Sequence, residues 1–309
     1  MSFQNENQKN TKFSNFDLLA QSIVEGFISG MHKSPFHGFS AEFAEHKMYN
    51  NGDSTRHIDW KLFAKTDKLY TKRFDEETNM RCHIILDLSS SMYYPSRKEH
   101  LDLEYNKVEF SALASAALLQ ILKKQRDAAG LSLYAKDYQF YAPEKGNERH
   151  FHMLFSKLQA TTTTIPKQST TKTYEVLHQI AEQMHRRSML ILFTDMFQSE
   201  MESKQLFEAL RHLKYNKHEL ILFHVFDKKT EYDFDFRNTP KRFVDVETGA
   251  SVDVFPKSVQ ENYTKALANY FNELKLKCDQ YKINYVPADV REGFDKIMMT
   301  FFEKRHKFL

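Results

Sequence analysis

The sequence predicts an α/β fold with a doubly wound, mainly parallel sheet of the Rossmann type, and three observations predict it. Short apolar runs that suit buried strands occur at residues 83–87, 189–194 and 219–226. Segments with helical spacing of apolar residues separate these runs, as at residues 108–124 and 174–185. Alternation of strands and helices along a chain is typical of a parallel sheet covered by helices.

The periods of apolar residues place the further elements in order. Residues 138–141 follow a strand closely and are predicted to pair with it as an antiparallel neighbour. His150 and His152 are placed on a strand or loop and receive no role. The predicted helices cover residues 16–31, 108–124, 174–185, 204–213, 258–281 and 292–304, and the predicted strands cover residues 83–87, 130–135, 138–141, 189–194, 219–226 and 283–286.

These elements suggest an order of domains along the 309 residues. Residues 16–80 show few regular periods after their first helix, and we expect an N-terminal extension packed on the main domain. Residues 81–228 carry the alternating strands and helices of the core. Residues 229–257 alternate apolar with polar residues, which predicts a small β-hairpin insertion. Residues 258–309 would complete the core with a helix, a strand and a helix.

Composition argues against several classes of function. Lysine and arginine total 44, aspartate and glutamate total 41, and the formal charge of +3 is spread along the chain without a basic arm. We therefore expect no nucleic acid partner. The two cysteines, Cys82 and Cys278, lie far apart, which argues against a disulfide framework, a zinc ribbon or a thiol redox site.

The first residues and the apolar segments predict a location. Residues 1–15 are polar and lack the apolar core of a secretory signal, so we predict a disordered tail and a cytoplasmic protein. The best candidate for a membrane span, residues 110–122, falls short of the roughly 20 residues that a spanning helix needs. Direct membrane insertion is therefore not expected.

Polar side chains follow two of the predicted strands at the place where an open α/β sheet binds its ligands. Asp87, Ser89 and Ser91 form an Asp-x-Ser-x-Ser pattern after the first strand, and Asp195 follows the strand at residues 189–194. A carboxylate with alternate hydroxyls supplies the hard oxygen ligands that Mg²⁺ prefers. A strand-end aspartate with serines is also common as a turn or a helix cap, and the second carboxylate favours the metal interpretation.

This pattern resembles the metal-ion-dependent adhesion site of the von Willebrand factor type A fold. Asp87, Ser89, Ser91 and Asp195 match its Asp-x-Ser-x-Ser motif and its later aspartate. The resemblance implies a loop threonine as a further ligand, and Thr171 fits the spacing to Leu177, although the glycine that often precedes that threonine is absent. The implied cation is Mg²⁺ or Mn²⁺.

A second resemblance covers nearly all of the chain. The sequence is similar to the bacterial family called domain of unknown function 58, which resembles a type A domain with additions. Members of that family are often encoded beside MoxR-type AAA+ ATPases, so the resemblance implies an adaptor or assembly factor whose partner is such an ATPase or its client. The matching stretches are residues 30–43, 49–60, 87–92, 186–195 and 245–249.

The segment Arg56-His-Ile-Asp-Trp60 supports two interpretations. Arg56, Asp59 and Trp60 could form a partner-binding surface, because tryptophan and arginine are common interface anchors. Alternatively, Trp60, the single tryptophan, anchors the N-terminal extension while Arg56 pairs with Asp53 or Asp59 in a partly buried turn. We favour the anchoring interpretation.

Two functions of different classes follow from these residues. The first is a non-enzymatic binding module, in which the cation keeps an open position for an acidic residue of a partner. The second is an Mg²⁺-dependent, phosphatase-like hydrolase with Asp87 as the nucleophile. The sequence favours the first, because Ser89 stands where such a phosphatase would carry a second aspartate, and no glycine-rich phosphate loop is present.

Overall fold

The computed structural model describes residues 16–31, 46–48, 60–72, 80–95, 103–135, 137–163, 173–185, 187–196, 200–215, 217–245 and 249–308. The predicted disordered tail at residues 1–15 lies outside these ranges. The chain forms two compact units, one of residues 28–79 and the other of residues 1–27 and 80–309. The domain boundaries expected from the sequence stay predictions.

The helices and strands follow one another in mostly alternating order. In chain order they are α1 (Phe16–Met31), β1 (His46–Met48), α2 (Trp60–Thr66), β2 (Tyr70–Lys72), β3 (Arg81–Asp87), α3 (Lys107–Lys124), β4 (Ala128–Tyr134), β5 (Tyr138–Lys145), α4 (Glu148–Thr163), α5 (Thr173–Gln183), β6 (Met189–Thr194), α6 (Glu200–Tyr215), β7 (Glu219–Phe226), β8 (Lys241–Val244), β9 (Ser251–Val254), α7 (Pro256–Gln280), β10 (Asn284–Asp289) and α8 (Asp295–Phe308).

The smaller unit contains a short antiparallel pair of strands. β1 pairs with β2, and His46 lies opposite Lys72. Helix α2 begins at Trp60, and the Thr66 hydroxyl donates to the Leu62 carbonyl at 2.8 Å. The sequence did not predict these elements, because three-residue strands and a seven-residue helix are too short to display a period.

The main unit is built on a mainly parallel sheet flanked by helices, as the sequence predicted. Among the described residues this sheet has six strands in the order β10-β7-β6-β3-β4-β5. β5 is antiparallel to β4, which confirms the predicted antiparallel neighbour, and the other adjacent pairs are parallel. The carboxyl ends of β3, β6, β7 and β10 therefore meet at one edge of the sheet.

Both faces of this sheet are buried. Ile85, Leu192 and Leu222 lie side by side in register and belong to a core cluster with apolar residues of α5, α6 and α7. Their neighbours along the strands point to the opposite face, where the rings of Phe193 and Phe223 stack with centroids 4.9 Å apart. Burial on both faces explains why the strands read as continuous apolar runs.

Helix α3 is buried from Lys107 to Leu122 and packs on strands β3, β4 and β7. Asn106 begins it with a capping box: its side chain accepts from the Glu109 amide at 2.8 Å, and the Glu109 carboxylate accepts from the Asn106 amide at 3.1 Å. The Phe110 ring stacks on Phe294 at 4.9 Å. Its cap and its packing therefore hold helix α3 in place.

The interior of the sheet holds a polar group that we call the His83 cluster, composed of His83, Ser132 and Glu144. His83 Nδ1 lies 2.6 Å from Glu144 Oε1, and its Nε2 lies 2.7 Å from Ser132 Oγ. Gly130 makes room for the imidazole, because a Cβ atom there would lie 2.3 Å from His83 Nδ1. Burial alone would raise the pKa of Glu144, but the hydrogen bond and charge of His83 lower it.

Helix α4 contradicts one prediction. His150 and His152 were expected on a strand or loop, but both lie in α4. The Asn147 side chain accepts from the His150 amide at 2.9 Å at the start of this helix, and buried apolar residues then recur at helical spacing. Polar residues dilute that period in the sequence. The side chain of His150 bonds the Ala129 carbonyl at 2.9 Å, which gives it a structural role.

The predicted hairpin insertion contains the antiparallel pair β8 and β9. Gly249 adopts a φ of 74° in the connecting segment, which suits glycine because it has no Cβ atom. Phe234 and Phe236 belong to the segment expected to form the hairpin but precede β8, and they pack with Phe243 at ring centroid distances of 5.3 and 5.2 Å. Side-chain packing, and not a longer ladder, therefore holds this segment.

Candidate functional site

Asp87 is the last residue of β3 and is 2% exposed. Both of its carboxylate oxygens accept hydrogen bonds. The Ser89 amide donates to Oδ1 at 2.8 Å, and the Thr194 hydroxyl donates to Oδ2 at 2.7 Å. Because Thr194 ends the neighbouring strand β6, two adjacent strands fix the position of this carboxylate.

Ser89 and Ser91 lie in the turn that follows Asp87. Their hydroxyl oxygens are 3.1 Å apart. A short 3₁₀ helix at Ser90–Tyr93 curls the chain, and the Met92 amide donates to the Ser89 carbonyl at 3.1 Å. The structure thus brings together the carboxylate and the two hydroxyls of the Asp-x-Ser-x-Ser pattern.

Asp195 directly follows β6 and is 3% exposed. Burial raises the pKa of Asp87 to about 6, and the negative charge of Asp195 is the second cause. Burial and the charge of Asp87 likewise raise the pKa of the buried Tyr134. Negative charge at this edge is therefore incompletely compensated.

The structure adds a lysine that the sequence analysis missed. Lys107 is fully buried, and its Nζ atom donates to Asp195 Oδ2 at 2.9 Å and to Glu231 Oε1 at 2.6 Å. Burial alone would lower the pKa of Lys107, but the charges of Asp195 and Glu231 outweigh burial and raise it. We call Asp87, Asp195, Lys107 and Glu231 the carboxyl-edge cluster.

Glu231 is fixed by the residues that follow β7. Its Oε2 atom accepts from the Asp227 amide at 2.7 Å. Asp227 in turn accepts from Arg291, which lies beyond β10, and from the Thr230 hydroxyl. Charged groups thus connect the ends of strands β6, β7 and β10.

The donor set fits a small divalent cation. Adjacent ligands of an octahedral Mg²⁺ site with bonds of about 2.1 Å lie about 3.0 Å apart, and the hydroxyl oxygens of Ser89 and Ser91 have nearly this spacing at 3.1 Å. No group of three or more histidine, cysteine, aspartate or glutamate side chains that could hold a metal occurs in the described ranges. The candidate site is of a different kind, because hydroxyls supply much of its oxygen.

The structure describes only part of the other predicted site residues. Thr171, Arg56 and Asp59 lie outside the described residues. Trp60 is the first residue of α2, and its side chain is not among those described. Neither the ligand role of Thr171 nor the two interpretations of the Arg56 to Trp60 segment is tested, and these stay predictions.

The family model described as "Protein of unknown function DUF58" matches residues 45–270 of the chain. The chain belongs to the DUF58 family. The match covers the carboxyl-edge cluster, from Asp87 to Glu231, within a single family region. No curated protein matches the sequence.

Solved structures with low sequence identity resemble this DUF58 chain. BatB from Bacteroides thetaiotaomicron is 16% identical with a TM-score of 0.45, covering 74% of this chain and 99% of its own. An aerotolerance-related membrane protein from Bacteroides fragilis NCTC 9343 with multiple mutations to serines is 14% identical with a TM-score of 0.46 and the same two coverages. The PilB minor pilin from Streptococcus sanguinis is 8% identical with a TM-score of 0.43, covering 78% and 64%.

Within the part of this DUF58 chain that the structure describes, no helix combines the length and the apolar character that a bilayer span requires.

Proposed function

We propose that this DUF58 chain is a non-enzymatic protein-binding module with a metal-ion-dependent adhesion site of the von Willebrand factor A type. Asp87, Ser89, Ser91, Thr171 and Asp195 would hold one Mg²⁺ or Mn²⁺. The observation that carries the proposal is the pair of serine hydroxyls 3.1 Å apart beside the fixed carboxylate of Asp87. That spacing suits two adjacent ligands of a small cation.

The residues of the chain prepare this site in distinct ways. Ser89 and Thr194 hold the Asp87 carboxylate through its two oxygens. Lys107 holds Asp195 in place beside it. When bound, the cation would supply a Lewis-acidic position for a carboxylate of the partner, because neutral hydroxyl ligands leave more of its charge unquenched than carboxylates would.

The partner in this proposal is a MoxR-type AAA+ ATPase or its client. Its support is the family resemblance of residues 30–43, 49–60, 87–92, 186–195 and 245–249, together with a site suited to an acidic side chain. The chain would act as an adaptor or assembly factor in the cytoplasm. The expectations of no nucleic acid partner and no membrane insertion belong to the same proposal.

The hydrolase alternative asks more of Asp87. As a nucleophile, this carboxylate would need an oxygen free to attack phosphorus. Both oxygens accept hydrogen bonds, from the Ser89 amide at 2.8 Å and from the Thr194 hydroxyl at 2.7 Å. These contacts suit a fixed ligand better than an attacking group.

The test is binding to a purified MoxR-type ATPase from the same source, measured with Mg²⁺, with EDTA, and with the Asp87→Asn variant. We expect binding with Mg²⁺ and at least a tenfold weaker affinity in EDTA and in the variant. Asp279→Asn is the matched control, since it removes one exposed carboxylate in α7 and should bind like the natural chain. Equal affinity in Mg²⁺ and EDTA would contradict the proposal.

A further inference from the structure

Lys107 lies where local structure disfavours a lysine. It is the first residue of α3, directly after the Asn106 cap, and cations are unfavourable at this end of a helix because its exposed amides carry partial positive charge. Its side chain is also fully buried, which is rare for lysine unless it is paired. Contacts outside the helix must therefore compensate for this position.

Those contacts lie between the ends of two neighbouring strands. Lys107 Nζ donates to Asp195 Oδ2 at 2.9 Å and to Glu231 Oε1 at 2.6 Å. Asp195 follows β6, and Glu231 lies in the turn at Lys228–Tyr232 that follows β7. The ammonium group thus bridges two carboxylates, which is the role that a metal ion often takes at the edge of a sheet.

The charges of the carboxyl-edge cluster can be counted. Asp195 and Glu231 contact the ammonium group of Lys107, and Asp87 ends the neighbouring strand β3, so that three carboxylates and one ammonium group leave two negative charges. One divalent cation at Asp87 would neutralise this remainder. Without the lysine, the same edge would carry three negative charges, and Asp195 and Glu231 would lose the counter-charge that they share.

We propose that Lys107 is a built-in cation that occupies the position of a second metal ion, between Asp195 and Glu231, and so limits this edge to a single divalent cation. The inference deepens the proposed function, on which it rests for the cation at Asp87. It makes Lys107 a positioning and specificity-determining residue, because it sets how many ions the site takes. It also distinguishes the site from two-metal hydrolases, which need both positions for metal.

Two substitutions that remove the same positive charge distinguish the effect of the vacated space from the effect of the lost charge. Lys107→Ser removes the ammonium and leaves room for an ion, whereas Lys107→Met removes the ammonium and fills most of the room. The measurement is the number of Mn²⁺ ions bound per chain, from the electron paramagnetic resonance signal of free Mn²⁺, together with melting temperatures in EDTA and in Mn²⁺.

We expect one Mn²⁺ for the natural chain and for Lys107→Met, and two for Lys107→Ser. The melting temperature of Lys107→Ser should rise more with Mn²⁺ than that of the natural chain, and adding Glu231→Gln should remove the second ion. One ion in Lys107→Ser, with no larger rise in melting temperature, would overturn the inference.

The same measurements would give a different result if the proposed function were wrong. If the natural chain binds no Mn²⁺ but Lys107→Ser binds one, the Asp87 site is refuted while the role of Lys107 is retained. If Lys107→Ser does not fold in either condition, the double variant Lys107→Met/Glu231→Gln decides. The inference expects it to melt at a higher temperature than Lys107→Met and to bind one ion, and a lower melting temperature or two ions would overturn it.

Discussion

The His83 cluster and the carboxyl-edge cluster both lie in the main sheet, but their charges are balanced differently. In the first, one imidazole faces one carboxylate, and both ring nitrogens have partners at 2.6 and 2.7 Å. In the second, Asp195 and Glu231 share one ammonium group, and burial with the charge of Asp195 raises the pKa of Asp87 to about 6. In the first cluster the imidazole is fully paired and only Glu144 Oε2 lacks a hydrogen-bond partner among the described residues, whereas the carboxylates of the second outnumber its ammonium group.

This difference separates a structural polar group from a candidate binding site. Buried polar groups that satisfy one another stabilise a unique packing of the core. Buried carboxylates in excess of their counter-charges cost stability, and such a cost is typical of sites that await a ligand. Substitutions in the two clusters should therefore respond differently to divalent cations.

The largest effect is expected from Lys107→Met in EDTA. Removing the ammonium leaves the buried carboxylate of Asp195 and the partly buried carboxylate of Glu231 without their counter-ion, which should lower the free energy of unfolding by about 3–5 kcal/mol. Urea denaturation measures this loss in the free energy of unfolding. Lys265→Met is the control, because Lys265 pairs with Glu261 on the surface and should contribute less than about 1 kcal/mol. Equal losses in the free energy of unfolding for the two substitutions would contradict the prediction that the contacts of Lys107 contribute more than a surface ion pair.

The next effect concerns the His83 cluster. In Gly130→Ala, the new Cβ would lie 2.3 Å from His83 Nδ1 and 2.9 Å from the Ala142 carbonyl oxygen. Such overpacking should lower the free energy of unfolding by about 3 kcal/mol. The stabilisation by Mg²⁺, measured on the same variant, should stay unchanged. Loss of the stabilisation by Mg²⁺ would mean that the two clusters are coupled, and it would contradict the difference proposed between them.

Asp87→Asn should have a smaller effect, seen only with cation. In EDTA the variant should be at least as stable as the natural chain, because the asparagine oxygen can accept from the Ser89 amide, its NH2 group can donate to the Thr194 hydroxyl oxygen, and one of two like charges is removed. With Mg²⁺ at 10 to 100 times its Kd, the natural chain should gain about 1.4–2.7 kcal/mol that the variant does not. A similar gain in the variant would place the cation elsewhere.

The smallest effect concerns pH at a site far from the carboxyl edge. His218 is buried before β7, its Nδ1 accepts from the Ser188 amide at 3.2 Å, and burial lowers its pKa below 6.5. Below pH 6.5 the unfolded chain therefore takes up a proton before the folded chain does, so stability falls as the pH falls towards the folded pKa.

His218→Asn keeps an acceptor near the position of Nδ1 and removes this titration. Between pH 7 and pH 5 it should lose less stability than the natural chain, as measured by urea midpoints. His152→Asn is the matched control, because it makes the same substitution at an exposed histidine. Parallel pH profiles for all three proteins would contradict the prediction.

The sequence predicted those parts of the fold that have a clear period. The runs at residues 189–194 and 219–226 became β6 and β7 with the predicted bounds, because strands buried on both faces are apolar throughout. Helix α1 likewise matches residues 16–31. Helix α4 was missed because its buried residues are interspersed with polar ones, so that the period is weak.

The sequence predicted only those residues of the candidate site that directly follow an apolar strand. Asp87 and Asp195 follow apolar runs, and the Asp-x-Ser-x-Ser pattern marks the serines. Lys107 and Glu231 are 124 residues apart along the chain, and no local pattern joins them. One signal was present: Lys107 directly follows a helix cap and is the first residue of a long apolar helix, where a positive charge is unfavourable.

Isothermal titration of Mg²⁺ into the metal-free chain, repeated with Asp87→Asn and Asp279→Asn, tests most directly whether the carboxyl edge binds a cation. One binding event per chain is predicted for the natural protein and for Asp279→Asn, and none for Asp87→Asn. Folded natural protein that binds no Mg²⁺ or Mn²⁺, or binding that survives Asp87→Asn unchanged, would contradict the assignment of the site.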